Sequence, residues 1–197
     1  MNNYENGDLI EALRFLFNFN GLDLSIDEMR NKDGLRIHTL FNRIDAVNCV
    51  CPRLKCNSLV SLNADITVPN GYTPESDTRN RNAIVPVNAI QAVEFSICRD
   101  SLRCFCEEIR RRFNRCPRDF TSNERTDLLN ALINFRCNAF NTVYEIGVDA
   151  MDLSNRPIIG IIIGYSEELL WVKSTEKCSN HKFYLIPLDS ISFVLQK

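Results

Sequence analysis

Nine cysteines are the first residues of this 197-residue chain to consider as chemical groups. They are odd in number and scattered over most of the length, at Cys49, Cys51, Cys56, Cys98, Cys104, Cys106, Cys116, Cys137 and Cys178. The closest pairs have one residue between them, whereas the cysteine pairs of zinc sites are separated by about two to four. Only two histidines, His38 and His181, could supplement such a site.

Three interpretations of the thiols are open. In reduced form they bury as small apolar side chains, the expectation for a chain without a secretory signal. The second is a zinc site, and the third is intermolecular disulfide cross-linking in an oxidising setting, which suits an odd and scattered set. The third makes the chain an assembly component. Its candidate cross-linking residues are Cys49, Cys51, Cys56, Cys104, Cys116 and Cys178.

The sequence lacks the residue patterns typical of catalysis. His38 and His181 fall in different halves, and neither accompanies a Gly-x-Ser-x-Gly nucleophile motif. No glycine-rich phosphate loop occurs. Glu167 and Glu168 are predicted to lie at a hairpin tip. A carboxylate there is surrounded by solvent, so we expect no local environment that would adapt it to catalysis. We therefore expect no enzymatic activity, no cofactor and no metal.

A second group of candidate binding residues is basic. Between residues 99 and 113, apolar residues recur at helical spacing and the opposite face is positively charged. The arginines of that face are Arg103, Arg110, Arg111 and Arg112. The pattern predicts an amphipathic helix able to bind an acidic partner. Because Glu107 and Glu108 can pair with arginines one turn away, an ordinary solvated surface is the competing interpretation.

Composition limits the other classes of partner. The net charge of −2 and the pI near 5.8 give no overall attraction for nucleic acid, which leaves a local basic patch as the remaining route. An apolar content of 45% suffices for folded cores. No apolar run of about eighteen residues and no secretory signal pattern occurs, so we predict no membrane span and expect synthesis in the cytosol.

The surrounding helices and strands must position these cysteines and arginines. The elements that the sequence predicts most clearly are β strands near the C-terminus. Short blocks of branched and aromatic residues bounded by Gly, Pro and Ser are typical of strands. They predict strands at 158–165, 169–173, 183–188 and 191–194. Gly160 and Gly164 fall inside the first of these, where they allow sharp bending.

An earlier stretch repeats this C-terminal pattern. Ile84–Phe95 aligns without gaps on Leu185–Gln196, with Pro86 and Pro187 at the same place in each copy. Further back, Ser58–Leu62 and Asp65–Val68 take the places of the strands at 157–161 and 169–172. Since a repeat of about one hundred residues is too long for a solenoid, we predict two tandem domains. Their bounds are residues 1–97 and 98–197.

Helices are predicted before each β module, which places the chain in the α+β class. The predicted helices cover 8–19, 25–34, 99–113 and 122–137. The first module is expected to contain a strand at 45–50. The pattern of the preceding segment, 35–41, fits either a strand or a short helix. A hairpin over 59–68 turning near Asn63 follows, and then a loop over 69–82 in which Arg79 and Arg81 could contact an anion. The second module is expected to begin with a strand at 142–148.

The C-terminal order of strands resembles an Sm-like or SH3-like small barrel. It consists of a bent strand containing glycine, a turn, two further strands, a one-turn Pro-Leu-Asp link and a last strand. Tandem copies with this ending are also similar to the repeats of spore-coat protein B of endospore-forming bacteria. The first copy departs from the pattern, because it lacks the strand glycines, carries Cys51-Pro52 and has a longer loop. No equivalents of the Asn and Arg or Lys positions that hold bases in RNA-binding Sm proteins are found, so RNA binding is not implied.

Two functions of different classes follow. The first is a non-enzymatic structural protein, a spore-coat or surface-layer component deposited on the spore surface, which self-associates as a homo-oligomer or with other coat proteins through its β modules and cysteines. The second is an intracellular module that binds RNA or a protein through the basic helix at 99–118 and the barrel loops.

Overall fold

A computed structural model describes residues 7–19, 35–40, 43–49, 59–67, 81–113, 127–128, 131–132, 142–150, 153, 156–176 and 181–197. Two helices and ten strands are defined within these ranges. Every pair of neighbouring strands is antiparallel. The combination of helices with one antiparallel sheet fits the predicted α+β class.

The elements follow one another with short connections where the chain is described. The helices are α1 (Gly7–Asn18) and α2 (Leu102–Phe113). The strands are β1 (Arg36–Thr39), β2 (Arg43–Cys49), β3 (Leu59–Thr67), β4 (Arg81–Pro86), β5 (Ile90–Ser96), β6 (Tyr144–Val148), β7 (Ile158–Tyr165), β8 (Leu169–Ser174), β9 (Lys182–Pro187) and β10 (Ile191–Gln196). Single 3-10 turns occupy Val87–Ala89, Arg99–Ser101 and Leu188–Ser190.

The sheet repeats one strand order twice. Its ten strands run β10-β6-β7-β8-β9-β5-β1-β2-β3-β4. Within β1–β5 the order is fifth, first, second, third, fourth, and within β6–β10 it is the same. The two sets, called here the N-terminal and C-terminal strand sets, meet where β9 pairs with β5.

The two stretches that align in sequence have the same local structure. Each runs from a strand through a 3-10 turn into a second strand, and each turn begins after a proline. Pro86 has φ −60° and ψ 133°, and Pro187 has φ −60° and ψ 136°. Ile90 and Ile191 then return the backbone to extended geometry with ψ of 118° in both copies. The aligned residues are therefore structural equivalents.

Two details predicted for the N-terminal strand set are wrong. Residues 59–67 form the single strand β3 and contain no turn at Asn63, because Asn63 pairs with Cys49 on one side and with Asn82 on the other. The proposed counterparts of the C-terminal strands are also wrong. Leu59 pairs with Pro86 as Leu169 pairs with Pro187, so residues 59–62 are the equivalents of 169–172, and β2 takes the place of β7. The predicted loop over 69–82 ends earlier than expected, because β4 begins at Arg81.

The other predictions fall partly outside the described residues. The helix at 8–19 and the helix at 99–113 correspond to α1 and to α2 with its preceding 3-10 turn. The strand predicted at 45–50 is β2, and the segment 35–41 contains β1. Residues 127–128 and 131–132 are helical, as predicted for 122–137. The helix predicted at 25–34 and Arg79 lie outside the described residues.

The larger of two apolar cores draws on both strand sets. It buries one face of α1, the inner face of α2, and residues of β1, β5, β8 and β9. At its centre the indole of Trp171 is fully buried against aromatic rings from three elements, those of Phe15, Phe95, Phe105 and Phe113. The smaller core lies on the other face of the C-terminal strands and includes Ala92 of β5. Among the described residues no helix combines the length and apolar character needed to cross a membrane.

Both helices are fixed to the C-terminal strand set. The backbone amide of Asp8, in the first turn of α1, donates to Glu168 Oε2 at 3.1 Å, where a carboxylate complements the positive end of the helix. The second helix lies over β7, and a Cβ added at Gly164 would stand 2.5 Å from Ile109 Cγ2. The pairing of β7 with β8 shifts register between Ile162 and Gly164. This glycine therefore serves the close approach of α2 to an irregular strand.

Candidate functional site

The junction between the two strand sets is apolar on one face. In the register of β5 with β9, Val93 faces Leu185 and Phe95 faces Phe183. All four side chains are buried. The rings of Phe95 and Phe183 stack with centroids 5.8 Å apart and an interplanar angle of 14°. Close apolar pairs of this kind stabilise a sheet, so the junction is packed like the strand pairs within each set.

The other face of the junction carries a cluster of buried charges centred on Glu94. Its Oε1 accepts a hydrogen bond from Arg36 Nη1 at 2.9 Å and lies 3.0 Å from Lys182 Nζ. Its Oε2 is 3.5 Å from His38 Nε2. The cluster unites β1, β5 and β9. It therefore ties the N-terminal strand set to the C-terminal one by charge as well as by apolar packing.

The surroundings of Glu94 set its protonation. Burial opposes ionisation, but the adjacent His38 and the charges of Lys182 and Arg36 outweigh it and lower the pKa of Glu94 to about 2. Burial and the nearby Glu94 carboxylate raise the pKa of Tyr184, the residue opposite Glu94 in the register. A carboxylate that stays ionised throughout the neutral range is poorly suited to exchange protons, because general acid–base catalysis requires a pKa near the working pH. This cluster is suited to hold the sheet together.

A polar cavity of about 220 Å³ adjoins the cluster. Arg36, His38, Glu94 and Lys182 form part of its wall, and Arg43, Arg156 and Glu176 also line it. The positive groups outnumber the carboxylates, but Arg36 and Lys182 are already paired with Glu94. Among the described residues, no three of the types His, Cys, Asp and Glu come together in a group able to hold a metal ion.

The two ends of the sheet, β4 and β10, expose apolar side chains. Ile84 of β4 is 68% exposed, and Leu195 and Phe193 of β10 are 55% and 43% exposed. Both strands pair with a neighbour along one side, β4 with β3 and β10 with β6. An edge strand with exposed apolar side chains is a template for pairing with another strand.

The predicted basic residues lie together on α2, and most of them are paired within the helix. Arg103 Nε donates to Glu107 Oε1 at 2.9 Å. Arg111 Nη2 and Arg112 Nε donate to Glu108 Oε2 at 2.7 and 2.8 Å. Arg112 also lies over the ring of Phe15, 5.1 Å from its centroid. Arg110 is exposed on the same helix.

The predicted cross-linking cysteines are only partly described. Cys104 is exposed on α2, whereas Cys106 is half-buried, and burial raises the pKa of its thiol. Cys49 lies in β2 as a backbone position. The other four candidates, Cys51, Cys56, Cys116 and Cys178, lie outside the described residues.

The junction residues were not anticipated from the sequence. Glu94 lies between two apolar residues, Val93 and Phe95, and His38 follows Ile37. A charged or titratable residue next to apolar residues in a strand is a signal of a buried polar pair. Its partners cannot be read from the pattern, since Arg36 is 58 positions away in sequence.

Comparison with known proteins adds no relative. No protein-family model matches this chain, and neither the curated proteins nor the solved structures contain a match to it.

Proposed function

We propose that this chain is a non-enzymatic structural protein that self-associates through its β strands. The observation that carries the proposal is the junction of β5 with β9, where two strand sets of the same order already join edge to edge in one sheet. A chain that uses strand addition internally, and leaves apolar side chains on the two outer strands, has the parts needed to repeat that contact between molecules.

The strand sets are proposed to be small barrels of the SH3-like or Sm-like kind. The shared order of five strands supports this, as does the glycine-containing β7, where a Cβ at Gly160 would lie 2.5 Å from the carbonyl oxygen of Lys173. Close approach of this kind permits the strong curvature that barrel closure requires.

Disulfide cross-linking between copies is proposed as a second, covalent level of assembly. Cys104 is exposed on the outer face of α2 and supports this role. A spore coat or comparable surface layer is the setting that fits a self-associating, cross-linkable protein, and it is proposed as the place of action.

The experiment that tests the proposal is light scattering of the purified chain, with and without reductant, together with a count of thiols that react in the native state. We expect masses well above the 22.7 kDa of one chain, and larger ones without reductant. A mass of one chain in both conditions would overturn the proposal.

The competing function is binding of an acidic partner through α2, and it can be tested on the same purified protein. It requires retention on a polyanion that is lost when Arg110, Arg111 and Arg112 are changed to alanine. The ion pairs of Arg111 and Arg112 with Glu108 argue against it, because these guanidinium groups already have a carboxylate partner. Unaltered retention in that variant would exclude it.

A further inference from the structure

The two outer strands of the sheet are the repeat equivalents of the two strands that pair at its centre. At the centre β5 pairs with β9, the fifth strand of one set with the fourth strand of the other. The fifth strand of the C-terminal set is β10 and the fourth strand of the N-terminal set is β4, and these are the two ends of the sheet. We propose that β10 of one copy pairs with β4 of a second copy, head to tail, in the register of the internal junction. This inference rests on the proposed self-association and specifies its partner and its surface.

The burial of equivalent residues on the fourth strands supports the pairing. Leu185 of β9 and Ile84 of β4 occupy the same place in the aligned stretches. Leu185 faces Val93 across the junction and is fully buried, whereas Ile84 is 68% exposed. The neighbouring position is buried in both strands, as Ile186 and Val85. Among the described residues, no strand lies beside Ile84 on the side where β5 lies beside Leu185.

The fifth strands show the same difference. Ala92 and Glu94 of β5 are buried, while their equivalents on β10, Phe193 and Leu195, are exposed. At the position of Glu94, a charge that needs partners from β1 and β9, β10 carries an apolar residue. An apolar side chain at this place is suited to contact a second apolar strand without requiring a charged partner. Burial of these side chains would follow from strand addition.

The backbone donors of β10 face the direction that the pairing requires. At the junction the amide of Ile97 donates to the carbonyl of His181 at 3.2 Å, so by alternation along an antiparallel strand the amide of Val93 also faces β9. At the open edge the amide of Lys197 donates inward, to the carbonyl of Val143 at 2.9 Å. By the same alternation the amide of Val194, the equivalent of Val93, faces outward.

Transferring the internal register gives the expected contacts between copies. Val93 opposite Leu185 becomes Val194 opposite Ile84 of the second copy. Glu94 opposite Tyr184 becomes Leu195 opposite Ala83. The two edges are different surfaces, so the contact is heterologous, and a pair of copies retains one unused β10 edge and one unused β4 edge. Such a contact continues into a filament or closes into a ring, according to the rotation between copies.

Single-edge variants of the full-length chain test this geometry in the presence of reductant. Leu195→Lys places a charge on the β10 edge, and Ile84→Lys places one on the β4 edge. Both residues are exposed in the single chain, so the substitutions leave its core unchanged. By sedimentation velocity, we expect the wild-type chain to form assemblies and each variant alone to be a monomer, with the dissociation constant raised at least about thirtyfold, ~2 kcal/mol.

Mixing the two variants distinguishes head-to-tail pairing from pairing of like edges. The Ile84→Lys chain keeps an intact β10, and the Leu195→Lys chain keeps an intact β4, so an equimolar mixture is expected to form a dimer that grows no further. If like edges paired, one variant alone would dimerise and mixing would change nothing. Leu40→Lys is the matched control, because Leu40 is 47% exposed but lies on neither edge, and its assembly should equal that of the wild type.

The register is tested by a disulfide between the two blocked chains. Val194→Cys is added to the Ile84→Lys chain, and the Leu195→Lys chain receives Ile84→Cys. Hydrogen-bonded residues facing each other across antiparallel strands have Cα atoms about 5.5 Å apart, which a disulfide can span. Peptide mapping after oxidation should find residue 194 linked to residue 84.

Three results would overturn the inference. They are a wild-type chain that stays monomeric in reductant, assembly that survives both edge substitutions, or a mixture of the variants that gives no dimer. The two failures are distinguishable: assembly in reductant that survives both edge substitutions would retain self-association and remove only the pairing of β10 with β4, whereas assembly that appears only without reductant would remove self-association through the β strands as well and leave cross-linking.

Discussion

Glu94 should contribute more to stability than its surface counterparts, because its carboxylate is buried at the junction of the two strand sets. Glu94→Gln keeps the size of the side chain and removes the charge that pairs with Arg36 and Lys182. The pKa of Glu94 is lowered from 4.5 to about 2. At about 1.4 kcal/mol for each tenfold change in proton affinity, this difference corresponds to ~3 kcal/mol of stability at neutral pH.

The sign of the pH dependence follows from the direction of the pKa change. Since the folded-state pKa lies below the ordinary one, the stabilisation is complete above pH 4.5 and is lost as the pH falls toward 2. The wild-type chain should therefore lose stability across this window. The Glu94→Gln chain should start about 3 kcal/mol lower at pH 7 and approach the wild type near pH 2.

Urea unfolding at pH 7, 4 and 3, followed by circular dichroism, measures this difference. Glu108→Gln is the matched control, because the pKa of Glu108 is also lowered to about 2, by Arg111 and Arg112, but these charges lie on the surface of α2. Surface ion pairs contribute little, so this variant should resemble the wild type. Equal losses in the two variants would refute the reasoning that burial at the junction makes the Glu94 cluster strong.

Four further predictions concern α2 and the core beneath it. Gly164→Ala should lower the free energy of unfolding by about 1–3 kcal/mol in urea titrations, because its Cβ would stand 2.5 Å from Ile109 Cγ2; wild-type stability would contradict the close approach of α2 to β7. Trp171→Ala should cost about 3–5 kcal/mol by the same measurement, since the fully buried indole fills the centre of the larger core. As the single tryptophan, it should also emit at short wavelength until global unfolding, and an early red shift would argue against its burial. In native alkylation followed by mass spectrometry, exposed Cys104 should react faster than half-buried Cys106, whose thiol pKa is raised by burial; equal rates would contradict this placement of the two thiols.

The strands near the C-terminus could be predicted because their physical signals are local. Proline before a single turn, followed by isoleucine and valine in a fixed spacing, determines the path through residues 84–96 and 185–196 in both copies. The turn predicted near Asn63-Ala-Asp65 is wrong, because polar residues of these types are typical of turns but here lie within a strand. In the sheet it lies between β2 and β4, and backbone pairing on both sides outweighs the local preference.

The buried charges and the open edges could not be predicted for a different reason. Whether Glu94 is buried with partners depends on β9 lying beside β5, a contact between distant parts of the chain. The exposure of Ile84 likewise depends on the absence of a described strand on that side of β4. The sequence alignment identified Ile84 and Leu185 as equivalents, but only the sheet order separates the central strand from the outer one.

The hydrogen bond from Asp8 to Glu168 has a consequence for how the chain folds during synthesis. The two residues are 160 positions apart, and a ribosome adding about 5–20 residues per second needs roughly ten to thirty seconds to cover that distance. For that time the apolar face of α1 has been made but Trp171, the centre of its core, has not. The apolar face of α1 can therefore be buried only after β8 and β9 have been synthesised. The larger core can form only when nearly the whole chain has left the ribosome.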